Sequence, residues 1–187
     1  MSKKTPSNKS NELMEQILKD SKGETIDLIV DHILFGISPE MIDWWWDHID
    51  TTERYKFWHP KDHISFQWEI SPKKGHIGAI HRVIENIGIP TMLRIRWEDP
   101  DNSPIPIEYN HALAASILNR ADNPTSWLLH EYESIENGTK IRTTFRLPAK
   151  IPKQFIEALR KHNKEEIGEF VNFLPNLFEK NKNKITE

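Results

Sequence analysis

The stretch from Pro152 to about Lys180 constrains the fold most. Projected at 100° per residue, Phe155, Leu159, Phe170, Phe173, Leu174 and Leu177 fall on one arc, with Glu157, Arg160, Lys161 and Lys164 opposite. A helix with so long an apolar stripe has to lie across an extended apolar surface. Pro152 suits its first turn, whereas Pro175 predicts a kink or an interruption near its end.

The segments before it read mostly as strands. His63 to Ile70, Ile77 to Ile87, Thr91 to Glu98, Trp127 to Ile135 and Lys140 to Leu147 are rich in β-branched and aromatic residues and bounded by Pro, Gly or Asn. Glu136-Asn137-Gly138-Thr139 predicts a hairpin turn of type I′, since Asn-Gly takes positive φ readily. Thr25 to Leu34 favours a first strand, and His111 to Leu118 a further strand or helix. Three prolines between Asp99 and Pro106 mark a surface loop. The expectation is an α+β fold, one curved antiparallel sheet wrapped around the long C-terminal helix.

Near the N-terminus, residues 1–10 are Lys, Ser, Asn and Pro among few apolar residues and predict a mobile tail. Asn11 to Lys19 predicts a short helix, and residues 11–187 are taken as one domain, which the length of 187 residues permits. Ser38-Pro39-Glu40 is a helix start, with the helix running to Trp46 or His48. It carries Trp44, Trp45 and Trp46, and three consecutive indoles cannot share one helical face, so one must meet a cavity, a partner or solvent.

Composition removes several classes of chemistry. With no cysteine, any metal has to be held by His, Asp or Glu, and thiolate catalysis is excluded. A net charge of -3 with interspersed signs gives no basic stripe for nucleic acid. No apolar run approaches membrane-spanning length and no signal-peptide core follows the N-terminal lysines, so a cytoplasmic protein without membrane contact is expected. A homodimer is compatible with these features.

The residues suited to chemistry fall in three places. His162 and Glu166 stand four apart on the apolar arc of the last helix, where a carboxylate is costly unless paired or bound to a cation. An ordinary His-Glu pair at the rim of the core fits that spacing equally well. In HIGAIHRVIENIG, alternation groups Ala79, His81, Val83 and Glu85 against Ile80, Arg82 and Ile84, and neither face is wholly apolar, so a solvent face is also compatible. Trp44 to His63 (WWWDHIDTTERYKFWHPKDH) holds two imidazoles in HPKDH, His59 and His63, and spacing does not choose between them. Asp62 or Asp47 is placed to orient an imidazole. His130 and Tyr132 share a strand face in WLLHEYE.

RYKFWHPKDH, with Glu85 in IENIG and HNKEE in the last helix, resembles the diacetylphloroglucinol and phloretin hydrolases over about Ser38 to Phe178. These are zinc-dependent enzymes that cleave a carbon-carbon bond between an acyl group and a phenolic ring, on a helix-grip fold like that of the START and Bet v 1 proteins. The resemblance implies His63, Glu85, His162 and Glu166 as metal ligands. It also implies Tyr55 as a group that holds phenolic hydroxyls, and a small phenolic ketone as substrate. Zinc suits mixed imidazole and carboxylate ligands, as manganese or iron would. Tyr55, His59 and His130 are the candidates for moving the proton to the departing carbon. Tyr55, Trp58 and Tyr132 are the candidates for the pocket wall. The alternative is a helix-grip protein that binds an apolar or aromatic small molecule without turning it over.

Overall fold

The computed structural model describes residues 6–73 and 75–182. Helix α1 (Pro6–Ser21) leads into strand β1 (Thr25–Phe35), followed by helices α2 (Pro39–His48) and α3 (Thr52–Trp58). Six strands come next: β2 (His63–Ile70), β3 (Ile80–Ile87), β4 (Ile89–Glu98), β5 (His111–Leu118), β6 (Pro124–Ile135) and β7 (Gly138–Pro148). Helix α4 (Lys153–Lys182) closes the chain. The seven strands form one antiparallel sheet in the order β1-β7-β6-β5-β4-β3-β2. Helix α4 crosses its concave face against β1 and β3, with α2 and α3 packed beside it. This is the helix-grip arrangement expected from the C-terminal amphipathic stripe.

The inward arc of α4 is Leu159, His162, Asn163, Glu166, Ile167, Phe170 and Leu174, all buried. Against it lies the aromatic cluster of α2 and α3, in which Trp45 meets Phe170 and Phe173 edge-on. All three tryptophans of α2 are buried, because the helix is enclosed on more than one side. Trp44 stacks on His48 and meets Phe178, while Trp46 turns to the interior cavity and stacks on His130. Trp46 is therefore the indole that faces a cavity.

Several local expectations change. The first helix begins at Pro6 rather than Asn11, so residues 6–10, expected in the tail, are helical, since proline is well placed at a first helical position. Residues 1–5 lie outside the described residues. Helix α4 runs through Pro175 without a break. The carbonyl that loses its donor there belongs to Val171, on the exposed side, where water can serve it. Helix α3 was not foreseen; Thr51 caps it by accepting from Arg54 N. Strand β3 begins at Ile80, after a turn at Gly78 with φ +86°. The β6–β7 hairpin forms where expected, but a type I′ turn needs two positive φ values and only Asn137 has one, at 64°. Gly138 is needed for another reason: a Cβ there would collide with the Leu34 carbonyl of β1.

Among the described residues no helix is long and apolar enough to cross a membrane.

Candidate metal centre

Three elements bring the acids and imidazoles together. Thr52 pins α3 to β2 by donating to Phe66 O (3.1 Å) and accepting from Phe66 N (3.0 Å). The HPKDH segment closes as a turn in which His63 N donates to His59 O (3.0 Å). In the β2–β3 register His63 stands opposite Glu85, so both project toward α4 from adjacent strands. Helix α4 supplies His162 and Glu166 one turn apart.

The donor atoms converge. Glu166 Oε2 lies 3.5 Å from His63 Nε2 and 3.7 Å from His162 Nε2, and Glu85 Oε2 lies 3.6 Å from His162 Nε2. His63, Glu85 and His162 each offer an atom within 4.8 Å of the others. Four ligands at about 2.1 Å from a tetrahedral ion would be about 3.4 Å apart. The buried Nε2 atoms of His63 and His162 have no hydrogen-bond partner. Unpartnered nitrogens facing carboxylates at ligand spacing are what a divalent cation would satisfy, so the donor set fits one.

Hydrogen bonds on the far side of His63, Glu85 and Glu166 fix which atom each offers, whereas His162 Nδ1 makes none. His63 Nδ1 donates to Tyr55 O (2.9 Å), which leaves the Nε2 lone pair turned inward. The Tyr55 ring stacks on the His63 imidazole with centroids 3.9 Å apart, and its hydroxyl donates to Glu85 Oε1. Asn163 Nδ2 donates to Glu166 Oε1 (2.9 Å). Each carboxylate thus has one oxygen held by a donor and the other, Oε2, directed at the imidazoles. His162 turns Nδ1 toward Asp62 Oδ2 (3.7 Å), and Asp62 is held by Asn86 Nδ2 (3.1 Å). Asp62 thus lies beside the His162 imidazole, at a distance too long for a hydrogen bond. Asp47 instead pairs with His76 at 3.3 Å.

The two histidines of HPKDH differ in tautomer. His59 Nδ1 accepts from Asp62 N (3.3 Å), so its proton sits on Nε2, directed at Glu165 (3.3 Å) and Asp62 (3.5 Å). A metal ligand needs a lone pair there, which His63 has and His59 lacks. His59 forms with Asp62 and His162 a second group whose atoms lie close enough to hold a cation, stacked on His162 with centroids 4.7 Å apart, but it does not line the cavity. Its expected role at the substrate is corrected accordingly: its Nε2–H faces the rim acids of the site.

Burial shifts the charged forms of all four groups. Desolvation raises Glu85 and Glu166 above the usual carboxylate range, partly offset by His63 for Glu85 and by His162 for Glu166. It lowers His63 and His162, against the pull of Glu85 and Glu166 respectively. Burial and the nearby Glu85 charge keep the Tyr55 phenol protonated far above its ordinary range. A bound cation reverses these penalties by favouring carboxylate and neutral imidazole together.

An apolar cavity of about 120 Å³ opens from this cluster into the space between sheet and helix. Tyr55, Trp58, Glu85, His162 and Glu166 line its polar end, and Ile87, Leu93, Phe145, Leu147, Phe155 and Leu159 its far end. His130 lines it from β6, buried and held by burial at a pKa of about 3, hence neutral near pH 7. Tyr132, expected in the pocket wall, is corrected: it points along the same face but donates to Asp43 Oδ1 on α2 (2.6 Å), away from the cavity lining. Asn163 and Thr143 escaped sequence reasoning, because a single Asn or Thr beside charged residues carries no periodic signal.

A sequence model of the DAPG hydrolase PhiG domain matches residues 29–160. No curated protein matches the chain. Among solved structures, the KanY protein aligns with a TM-score of 0.59 at 7% identity, covering 81% of this chain and 99% of that one. Ara h 8.0201 aligns with a TM-score of 0.57 at 11% identity, over 82% of this chain and 99% of that one. MLL2253 from Mesorhizobium loti aligns with a TM-score of 0.50 at 11% identity, over 81% and 98%. At such identities the likeness is one of fold.

Proposed function

The chain belongs to the DAPG hydrolase PhiG domain family, and from that membership we propose that it is a metal-dependent hydrolase that cleaves the carbon-carbon bond between an acyl group and a phenolic ring. The observation that carries this reading is the grouping of His63, Glu85 and His162 donor atoms within 4.8 Å of one another, with Glu166 Oε2 3.5 Å from His63 Nε2 and 3.7 Å from His162 Nε2, beside an apolar cavity that Glu85, His162 and Glu166 line. Zinc fits this donor set, and manganese or iron(II) would be accepted by it. When bound there, the ion supplies Lewis acidity for the acyl carbonyl and a low pKa for a water.

The protein's own groups do the rest. Tyr55 and Asn163 hold one oxygen of each glutamate, so both acids offer a single oxygen and room remains for water and substrate. The apolar far end excludes bulk water and packs the ring. A cavity of about 120 Å³ compares with the roughly 150 Å³ of an apolar cavity that holds benzene. One ring with a short acyl group fits it better than two rings. Cleavage adds the elements of water: the acyl carbon gains oxygen and leaves as carboxylate. The ring, as its keto tautomer, keeps the electron pair as an enolate and takes a proton at carbon. Neutral His130 on the cavity wall offers an N–H to the ring oxygen as that charge develops.

The non-catalytic binder draws support from the same apolar lining. It gives no account of two carboxylates buried with four unpartnered imidazole nitrogens on His59, His63 and His162. The test is acid release. Metal-loaded protein should liberate one carboxylate per ring from monoacylphloroglucinols, and faster than from two-ring dihydrochalcones. No acid release from any member of the panel, with metal bound at one per chain, would refute the hydrolase reading.

A further inference from the structure

Behind the metal ligands lies a buried polar chain that runs from α4 through the sheet to the cavity. Asn163 on α4, Thr143 on β7 and His130 on β6 are each at most 2% exposed, so no bulk water competes for their hydrogen bonds. Asn163 Nδ2 lies 2.9 Å from Glu166 Oε1 and 3.4 Å from Thr143 Oγ1. Asn163 Oδ1 faces His32 Nε2 on β1 at 3.4 Å. Thr143 Oγ1 lies 2.8 Å from His130 Nδ1.

Chemistry gives this chain a direction. An ionised carboxylate only accepts, so the amide nitrogen of Asn163 must face Glu166 and its oxygen must face His32. The second amide N–H then occupies a lone pair of Thr143. The threonine hydroxyl proton remains free to go to His130 Nδ1. With Nδ1 accepting, the single proton of neutral His130 sits on Nε2, the nitrogen left for the cavity.

We propose that Asn163 and Thr143 form a positioning relay, fixing Glu166 as a one-oxygen donor and His130 as the tautomer whose Nε2–H faces the cavity. The relay couples the two halves of the site: the amide that restrains the acid also sets the hydrogen-bond polarity at the imidazole. His32 completes it by holding the amide oxygen, so the amide cannot turn over without leaving a buried donor or acceptor unpaired. It deepens the hydrolase reading above, but its test does not depend on hydrolysis.

The test is long-range proton–nitrogen correlation NMR on full-length protein carrying nitrogen-15 histidine, with His130→Gln used to assign the His130 signals. Wild type should show His130 as the single Nε2–H tautomer from pH 6 to 8. Thr143→Ser, which keeps the hydroxyl, should retain that pattern, and Thr143→Val should lose it to the Nδ1–H form or to an average of the two. Zinc affinity, measured by chelator competition, should fall about tenfold or more in Asn163→Leu, the usual effect of removing a partner that holds a ligand, and change less than about threefold in Thr143→Val. An Nδ1–H pattern in wild type, or an Nε2–H pattern that survives Thr143→Val, would overturn the tautomer half. Unchanged zinc binding in Asn163→Leu would overturn the carboxylate half. Absence of hydrolysis with these patterns intact would refute the proposed reaction and leave the relay standing.

Discussion

Replacing Glu85 by Gln should reverse the stability order of variant and wild type when zinc is added. Glu85 is buried, its neighbours are the Tyr55 hydroxyl and the imidazoles of His63 and His162, and Glu166 adds like charge nearby. The unfolded chain prefers Glu85 ionised at pH 7.5, and the folded metal-free site disfavours that form, which weighs against folding. Gln keeps the shape and an oxygen for Tyr55 without the charge. Removing an incompletely paired buried charge should stabilise the metal-free protein by about 1–2 kcal/mol. With zinc at 100 times the wild-type Kd, wild type gains about 2.7 kcal/mol, whereas a variant bound about 100-fold more weakly gains about 0.4 kcal/mol. Urea unfolding followed by tryptophan fluorescence, once in chelator and once in zinc, reads both effects. A variant that is less stable in chelator and gains as much from zinc as wild type would refute the reasoning. It would make Glu85 a structural partner of Tyr55 and no ligand.

Other perturbations test neighbouring steps. His63→Gln should abolish stoichiometric zinc binding while His59→Gln retains it, measured by metal analysis after dialysis; the opposite result would refute the tautomer assignment. His81 accepts from Trp97 Nε1 (2.9 Å), and burial holds both His81 and His130 at a pKa of about 3 against an ordinary value of 6.5. Between those values the unfolded chain binds more protons than the folded one, so stability should fall as pH drops from 6.5 toward 3. The slope should be about 1.4 kcal/mol per pH unit for each imidazole, and a flat profile of urea unfolding between pH 4 and 6 would contradict it. Tyr132→Phe loses one hydrogen bond to Asp43, so stability should fall by about 1 kcal/mol with zinc affinity unchanged; a large loss of zinc binding would place Tyr132 in the site after all.

The parts of this molecule legible in the sequence are those carried by periodicity. The α4 stripe predicts the helix and puts His162 and Glu166 on its apolar arc, although a pair at the rim of the core fits the same spacing. Strand β3 was not decidable in the same way: Ala79, His81, Val83 and Glu85 form a mixed face, and only the covering helix turns it inward. The choice between His59 and His63 rests on backbone contacts, Asp62 N in one case and Tyr55 O in the other, which no spacing rule encodes. The short α3 was hidden by the charged residues and aromatics of TERYKFW. Asn163, Thr143 and His32 meet across as many as 131 positions, a juxtaposition set by strand order and by where α4 crosses the sheet.

The most direct test of the central claim is a crystal of zinc-loaded protein measured on either side of the zinc absorption edge. One anomalous peak should appear about 2.0–2.2 Å from His63 Nε2, Glu85 Oε2, His162 Nε2 and Glu166 Oε2. A peak held instead by His59 and Asp62, or no peak in protein with an intact cavity, would contradict the account.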